Sequence, residues 1–411
     1  MTLRLMVLGD RITGGASAYT KVGFEICKRA ADLGYDVAHI PQWRANRMGK
    51  YAFGKVLIYP SGDDHFCEDV AIPHYTDFKA DMLITIKEPW VFNNIFKWAI
   101  NFVPICPIDH SPVSDGITAR LPSAFKVIVI SRFGQAQLKR HNIASVYIPH
   151  GVRTDVYKPM GRLECKKRWF LDKFDFVVGI VAMNRIRKGI PRMLRGVKRF
   201  VELNPDVKIG CMLWTNIQPK RPREDITVGV SDTGVNLLPE IMRLGLDKVI
   251  QWPDWTDIQK IGGIPDFDPR GGWDMVSLYN AMDVNFLCSG GEGAGLPYLE
   301  SAACGVISIG TKYAGAPEYI GPGFTVPWYD YDVNNTPGVR YVLPDIDKMA
   351  EALTKVLNGN PEKFAKKALL HAKRLDWGKV MSDYWVPFLE ECETELYPKV
   401  TKDGVISWRK N

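Results

Sequence analysis

Short apolar strands alternate with amphipathic helical stretches from the first residues of this 411-residue chain, and that alternation restricts the fold more than any other feature. A predicted strand over 3–9, a Gly-rich turn, a helix over 16–33 stopped by Gly34 and a strand over 36–40 form a βαβ opening. Further strands are predicted at 56–59, 82–86, 103–108, 126–131 and 146–148, enough for an independent parallel sheet. The alternation pauses over 151–174, where Gly151, Pro159 and Gly161 punctuate a charged stretch that reads as a linker with room for a short helix. It resumes with predicted strands at 176–182, 207–214, 248–252, 284–288 and 306–310. The expectation is an α/β chain of two doubly wound domains, which suits a length beyond the roughly 250 residues that one core usually fills. Loops are expected at 215–235 and 253–272, and a mainly helical tail from 345 to about 396.

Composition removes several function classes. With 46% hydrophobic and 24% charged residues the chain can bury two real cores, which excludes a disordered or fibrous protein. No apolar run approaches the ~20 residues of a bilayer span, and the first residues lack signal-peptide architecture, so a cytoplasmic protein without a transmembrane segment is expected. Eight scattered cysteines form no CxxC and no Cys/His cluster, which supports neither a zinc site nor a disulfide framework and suits a reducing compartment. The net charge of +7 is modest, but residues 185–223 hold eleven Lys and Arg against Glu202 and Asp206. An anion-binding surface and a solvated helix face explain that stretch equally well. The helix after Gly189 opens on Pro191 and sets Met193, Leu194, Val197, Phe200 and Val201 on an apolar face, against Arg192, Arg195, Lys198 and Arg199.

The richest chemistry lies in Ser289-Gly290-Gly291-Glu292-Gly293-Ala294-Gly295-Leu296-Pro297-Tyr298-Leu299-Glu300, directly after a predicted strand. A strand, a Gly-rich loop and a Pro-started helix aim backbone N–H groups at one place, a ready anion site. Glu300 is expected in the first turn of that helix and Glu292 on the loop before it. One carboxylate there is commonly a helix-dipole partner, whereas two bracketing a glycine turn read as acceptors for ligand hydroxyls beside a bound phosphate.

The setting E-G-x-G-L-P-x-x-E resembles the signature of retaining GT-B glycosyltransferases of the family 4 type, also described as glycosyl transferases group 1. Other segments are similar as well. Arg185-Ile186-Arg187-Lys188-Gly189 resembles the family's strand-end R-x-x-K-G, and Ile148-Pro149-His150-Gly151-Val152 its interdomain I-P-N-G-V, with His150 in place of Asn. Asp274 to Asp283, Cys304-Gly305-Val306 and Gly315-Ala316-Pro317-Glu318 also follow its pattern. The resemblance is strong over about 125–330 and weak before that.

It implies two facing Rossmann-like domains with a cleft between them: 1–151 as the acceptor side, 152–375 as the nucleotide-sugar side, and a helical segment, 376–411, packing back on the first. It implies transfer of a sugar, with retention, from a UDP- or GDP-linked donor to an acceptor hydroxyl, without a metal or other cofactor. By resemblance Arg185 and Lys188 neutralise the diphosphate, Glu300 binds the ribose hydroxyls, Glu292 binds the transferred sugar, and Gly293, Gly295 and Leu296 line the donor site. Gly14 and Gly15 match a loop that approaches the donor phosphate from the first domain, so that a complete site requires both halves. His110, at a strand end, matches a histidine near the reacting sugar. The catalytic candidates are therefore His110, Glu292, Arg185 and Lys188; His150 receives no role.

Three other readings compete: a nucleotide-sugar epimerase, a non-catalytic nucleotide-sugar-binding subunit, and a transferase acting on a modified nucleic-acid base. The basic stretch and Trp90 and Trp98 would suit the last, although no nucleic-acid module is recognisable. The acceptor, whether glycan, lipid-linked glycan, protein or nucleic acid, is not legible in the sequence.

Overall fold

A computed structural model describes residues 2–14, 17–218, 234–254, 258, 263–333 and 339–398. The chain is α/β and divides into two compact units, one of Met1–Pro107, Asp115–His150 and Trp377–Asn411, the other of Ile108–Ser114 and Gly151–Asp376.

The first unit is built on an eight-stranded sheet. Its strands are β1 (Arg4–Gly9), β2 (Asp36–Pro41), β3 (Tyr51–Phe53), β4 (Val56–Ile58), β5 (Met82–Ile86), β6 (Phe102–Cys106), β7 (Ile128–Val129) and β8 (Val146–Tyr147), in the order β3-β4-β2-β1-β5-β6-β7-β8. All neighbours are parallel except β3 and β4. The helix Ala18–Asp32 is capped by Ser17, whose hydroxyl accepts from the Thr20 N–H at 3.0 Å. One sheet face buries Met6, Leu8, Ala38, Ile40 and Leu83 with Phe66, Phe92 and Phe102, and Trp90 packs against this core. The tail that joins this unit includes buried Trp377 and Trp385 and sets Tyr384 edge-on to Tyr147. Lys126 donates to Glu391 at 2.8 Å from the helix Val386–Leu396. The hairpin strand β3 escapes sequence reading because its three residues are all exposed and carry no burial pattern.

In the second unit six parallel strands, β9 (Phe176–Val181), β10 (Ile209–Trp214), β11 (Ile250–Gln251), β12 (Val284–Leu287), β13 (Ile307–Thr311) and β14 (Phe324–Val326), run in the order β11-β10-β9-β12-β13-β14. The near-continuous apolar sequences of β9 and β10 are fully buried, as a parallel sheet covered on both faces requires. Strand order reverses between β9 and β12, which are hydrogen-bonded neighbours. Crevices at such a switch point, beyond the carboxyl ends of the strands, are where doubly wound sheets bind ligands.

The helix Ile190–Leu203 buries Met193, Leu194, Val197 and Phe200. Val201, expected in that core, is only half-buried. The helix's cations are engaged by acids: Arg195 meets Glu240 at 2.9 Å, Arg199 meets Asp347 at 3.1 Å and Lys198 meets Glu202 at 3.5 Å. These pairs make this part of the basic stretch a solvated, paired face; its residues 219–223 and parts of both expected loops lie outside the described residues. A two-stranded antiparallel hairpin, β15 (Trp328–Val333) and β16 (Arg340–Pro344), was not foreseen. The sequence Trp-Tyr-Asp-Tyr-Asp-Val of β15 is exposed throughout, so neither face shows the alternation that marks a half-buried strand.

Candidate active site

The loops after β9 and β12 bring opposite charges together at the switch point. After β9 the chain passes Arg185 in an extended conformation and makes one short 3-10 turn, Ile186–Lys188, before the helix Ile190–Leu203. After β12 it runs through Ser289–Gly295 into the helix Leu296–Ala303, which has Pro297 near its start. The two loops are stitched by backbone: the Gly290 N–H donates to the Arg187 carbonyl at 2.8 Å, and the Val342 N–H of β16 donates to the Gly290 carbonyl at 3.0 Å. Gly291 passes so close to Asp109 that a Cβ there would sit 2.2 Å from the Asp109 carbonyl oxygen, which requires glycine. Gly295 has φ +81, a left-handed turn that glycine adopts without strain, and it opens the helix.

Lys188 and Glu292 form the centre. The ammonium nitrogen lies 2.5 Å from Glu292 Oε1, with side chains 14% and 5% exposed. Arg187 adds a second cation, with Nη1 3.5 Å from Glu292 Oε2 and Nε 3.6 Å from Asp109 Oδ2. The same Nη1 donates to the Gly291 carbonyl at 2.8 Å. Burial raises the Glu292 carboxyl, but the nearby Lys188 and Arg187 charges outweigh it and hold the group below its ordinary value. Burial likewise pushes Asp109 up, and its hydrogen bond from His110 together with the Arg187 charge brings it below the usual carboxylate range. Burial pulls the Lys188 ammonium down, against the opposing attraction of Glu292.

His110 is 4% exposed and belongs to the second unit, on Ile108–Ser114. Its Nδ1 lies 2.8 Å from Asp109 Oδ1, and its Nε2 accepts from the Ser114 N–H at 3.4 Å, so the ring is oriented from both sides. The Ser111 N–H donates to the Tyr313 hydroxyl at 2.8 Å, tying the His110 segment to the loop after β13.

Glu300 stands apart from this cluster in its own buried pocket. The helix starts at Leu296, so Glu300 occupies its second turn, not the first turn expected from sequence. Tyr279 donates to Glu300 Oε2 at 2.7 Å, and the Tyr157 hydroxyl lies 3.1 Å from Oε1 and 2.7 Å from Asp266 Oδ1.

Of the sequence candidates, His110, Lys188 and Glu292 are linked in one network through Asp109 and Arg187, while Glu300, Gly293, Gly295 and Leu296 share the loop and helix after β12. Arg185 is half-exposed just ahead of the 3-10 turn. Gly14 lies in the first unit with φ +105, its carbonyl accepting from Arg11 at 3.3 Å, and Gly15 falls outside the described residues. Sequence reasoning missed Arg187, Asp109, Tyr157, Tyr279 and Asp266. Arg187 had a signal, since it stands within the same basic motif as Arg185 and Lys188. Among the described residues no group of three or more His, Cys, Asp or Glu side chains is placed to hold a metal ion.

Residues 270–370, which include Glu292 and Glu300, match the family model described as glycosyl transferases group 1. A D-inositol 3-phosphate glycosyltransferase of Stackebrandtia nassauensis is 25% identical over 242 residues, covering 57% of this chain and 46% of the relative. The enzyme of the same name from Saccharomonospora viridis is 32% identical over 112 residues, 26% of this chain and 23% of the relative. The chain thus spans less than half the length of these curated relatives. Among solved structures, sucrose-phosphate synthase from Thermosynechococcus elongatus aligns with a TM-score of 0.68 at 15% identity, over 95% of this chain and 99% of that one. Anabaena HepE, solved in complex with UDP and glucose, aligns with a TM-score of 0.63 at 17% identity, over 94% and 99%. Residues 270–370 therefore carry a glycosyl transferases group 1 segment, set in a chain whose α/β architecture is that of the GT-B glycosyltransferases.

Proposed function

We propose that the protein is a retaining glycosyltransferase that moves a sugar from a nucleoside-diphosphate donor to an acceptor hydroxyl without a metal ion. The observation that carries the reading is the convergence of Lys188, Arg187 and Glu292 at the switch point of the second sheet, on the loop that leads into the Pro-started helix bearing Glu300. Lys188 and Arg187 supply positive charge where a departing diphosphate needs it. An ammonium has three N–H donors, so Lys188 can hold Glu292 and a phosphate oxygen together. Arg185 adds a longer-range cation at the mouth of the same loop. Glu292 accepts from hydroxyls of the transferred sugar, Glu300 from those of the ribose, and Gly293, Gly295 and Leu296 present backbone to the donor.

In the reaction the bond from the anomeric carbon to the diphosphate oxygen breaks, the acceptor oxygen bonds to that carbon on the same face, and the acceptor proton passes to the departing phosphate oxygen. His110, oriented by Asp109, lies beside this centre and contacts the sugar. UDP is the preferred donor nucleotide on the likeness to HepE, solved with UDP and glucose, and GDP is the alternative. The names of the curated relatives support a phosphorylated polyol as acceptor. No helix among the described residues is long and apolar enough to cross a membrane, and eight buried, unbridged thiols suit work in a reducing cytoplasm.

The test is incubation with a panel of isotopically labelled UDP- and GDP-sugars and inositol phosphates, with the anomeric configuration of the product read by NMR. The reading expects an acceptor-linked sugar with the donor's configuration. An inverted product removes retention, and donor converted to an isomer with no linked product favours an epimerase.

A further inference from the structure

The first sheet has a switch point of its own. Its strand order reverses between β1 and β5, because β2 follows β1 on one side and β5 pairs with β1 on the other. Ligands of parallel sheets bind beyond the carboxyl ends of the strands at such a point. Three residues stand where these neighbouring strands end: Asp10 directly after β1, Trp43 two residues after β2 and Lys87 directly after β5. All three belong to the first unit, and their side chains meet. Lys87 Nζ donates to Asp10 Oδ1 at 2.9 Å, and the Trp43 indole N–H donates to the same oxygen at 3.0 Å. The Ser17 hydroxyl donates to Asp10 Oδ2 at 2.8 Å. The Lys87 ammonium also lies 4.0 Å from the Tyr19 ring centroid and 5.7 Å from that of Trp43.

Trp43 is fixed on several sides and still open to solvent. Its backbone N–H donates to the His65 carbonyl at 2.8 Å, and its ring packs edge-on against Phe66 and His65, with centroids 5.3 and 5.6 Å apart. Trp43 and Arg44 have φ +61 and +55, a left-handed conformation that is unfavourable for residues with a Cβ. Arg44 fastens this turn by donating from Nε and Nη2 to the Asp63 carbonyl at 3.0 and 2.8 Å. Despite these constraints Trp43 is 49% exposed. Backbone strain that is held in place by surrounding contacts and presents an aromatic ring to water is the setting of a ligand-binding side chain.

We infer that Trp43, with Asp10 and Lys87, forms a subsite for the ring of the acceptor: a pyranose or cyclitol stacks its C–H face on the indole while Asp10 and Lys87 bind its hydroxyls. The inference rests on the glycosyltransferase reading given under Proposed function. The negative face of an indole attracts the weakly positive C–H hydrogens of such a ring. A carboxylate offers about four lone-pair sites, so Asp10 can accept from a ring hydroxyl beside its protein donors. An ammonium has three N–H donors, so Lys87 can hold Asp10 and a ring oxygen together. The charges of Asp10 and Lys87 cancel, which favours a neutral ring over a phosphate at this place. A phosphorylated polyol therefore presents its ring here, and Trp43 is a specificity-determining residue that selects cyclic over open-chain acceptors.

The experiment observes, by NMR, the indole N–H signals of the full chain labelled isotopically in tryptophan. The chain has 12 tryptophans; the signal missing from Trp43→Phe is that of Trp43, and the others report whether each variant is folded. The probes are methyl β-glucopyranoside, cellobiose and myo-inositol, with inorganic phosphate and open-chain sorbitol as controls. The three rings are expected to shift the Trp43 signal saturably, and the controls to leave it in place. Saturation transferred from the protein to the ring hydrogens is expected to fall about fivefold or more in Trp43→Ala and in Asp10→Asn, and to be partly kept in Trp43→Phe. Calorimetric titration of the same samples with UDP and GDP reads the second unit separately. An unmoved Trp43 signal with every ring, a larger shift with phosphate or sorbitol, or undiminished saturation in both Trp43→Ala and Asp10→Asn would overturn the inference, and a wild type that still binds a nucleotide would leave the glycosyltransferase reading standing. A wild type that binds neither a ring nor a nucleotide would overturn both.

Discussion

The Lys188 ammonium lies 2.5 Å from the Glu292 carboxylate, joining the loop after β9 to the loop after β12 at the point where the second sheet reverses its strand order. Both side chains are nearly buried, so the pair binds structure and chemistry together. Lys188→Ala should destabilise the fold by about 3 kcal/mol, because it leaves a buried carboxylate short of its closest counter-charge. The double variant Lys188→Ala/Glu292→Gln should recover much of that stability, yet transfer should stay depressed by about a hundredfold. Thermal unfolding and turnover measured on the same samples separate the two effects; recovery of turnover along with stability would make the pair purely structural.

Acid should loosen this cluster. The Glu292 and Asp109 carboxyls are both lowered in the fold. A depressed carboxyl contributes stability that is whole above its ordinary value, about 4, and is lost as pH falls through the lower folded value. Stability should therefore decline below about pH 4, and Glu292→Gln should flatten part of that decline. Urea midpoints measured from pH 2 to pH 7 check this, and parallel curves for wild type and variant would contradict it.

Arg187 spans three acceptors, the Glu292 and Asp109 carboxylates and the Gly291 carbonyl. The guanidinium reaches them from two nitrogens held apart in one plane, Nε and Nη1, whereas a lysine would offer a single nitrogen. Arg187→Lys should therefore lose nearly as much kcat/KM as Arg187→Ala, and both should exceed the loss in Arg185→Ala. Steady-state kinetics on the three variants decide the order. Full rescue by lysine would show that charge alone matters at this position.

Transfer should survive excess EDTA, because Lys188 and Arg187 supply the positive potential that a bound cation supplies in metal-dependent transferases. Loss of turnover on chelation, restored by manganese or magnesium, would refute this.

What the sequence disclosed, and what it hid, follows from how local each signal is. Glu292 and Glu300 were legible because a strand, a glycine turn and a Pro-started helix are contiguous, so their neighbourhood is written in one stretch. The sheet strands were legible for the same reason: β5 is an uninterrupted buried run of five residues. Arg187 was legible only as a member of a basic motif, because the 3-10 turn Ile186–Lys188 decides which basic side chain meets Glu292, and spacing alone does not specify that turn. Tyr157 and Asp266 are 109 residues apart in sequence, and their meeting depends on how the loop after Gly151 docks on the helix Met275–Asn280. Asp109 acquired its partners only because Ile108–Ser114 joins the second unit, a path that no local pattern announces.

The most direct test of the whole account follows one labelled sugar. The wild-type chain and the folded variant Lys188→Ala/Glu292→Gln are given UDP-sugar or GDP-sugar labelled in the sugar, together with a pool of phosphorylated polyol and glycan acceptors, and products are resolved by mass. The account predicts nucleoside diphosphate and an acceptor heavier by one labelled sugar from the wild type, and at least a hundredfold less from the variant. Equal product from both proteins, or intact donor in every wild-type reaction, would contradict it.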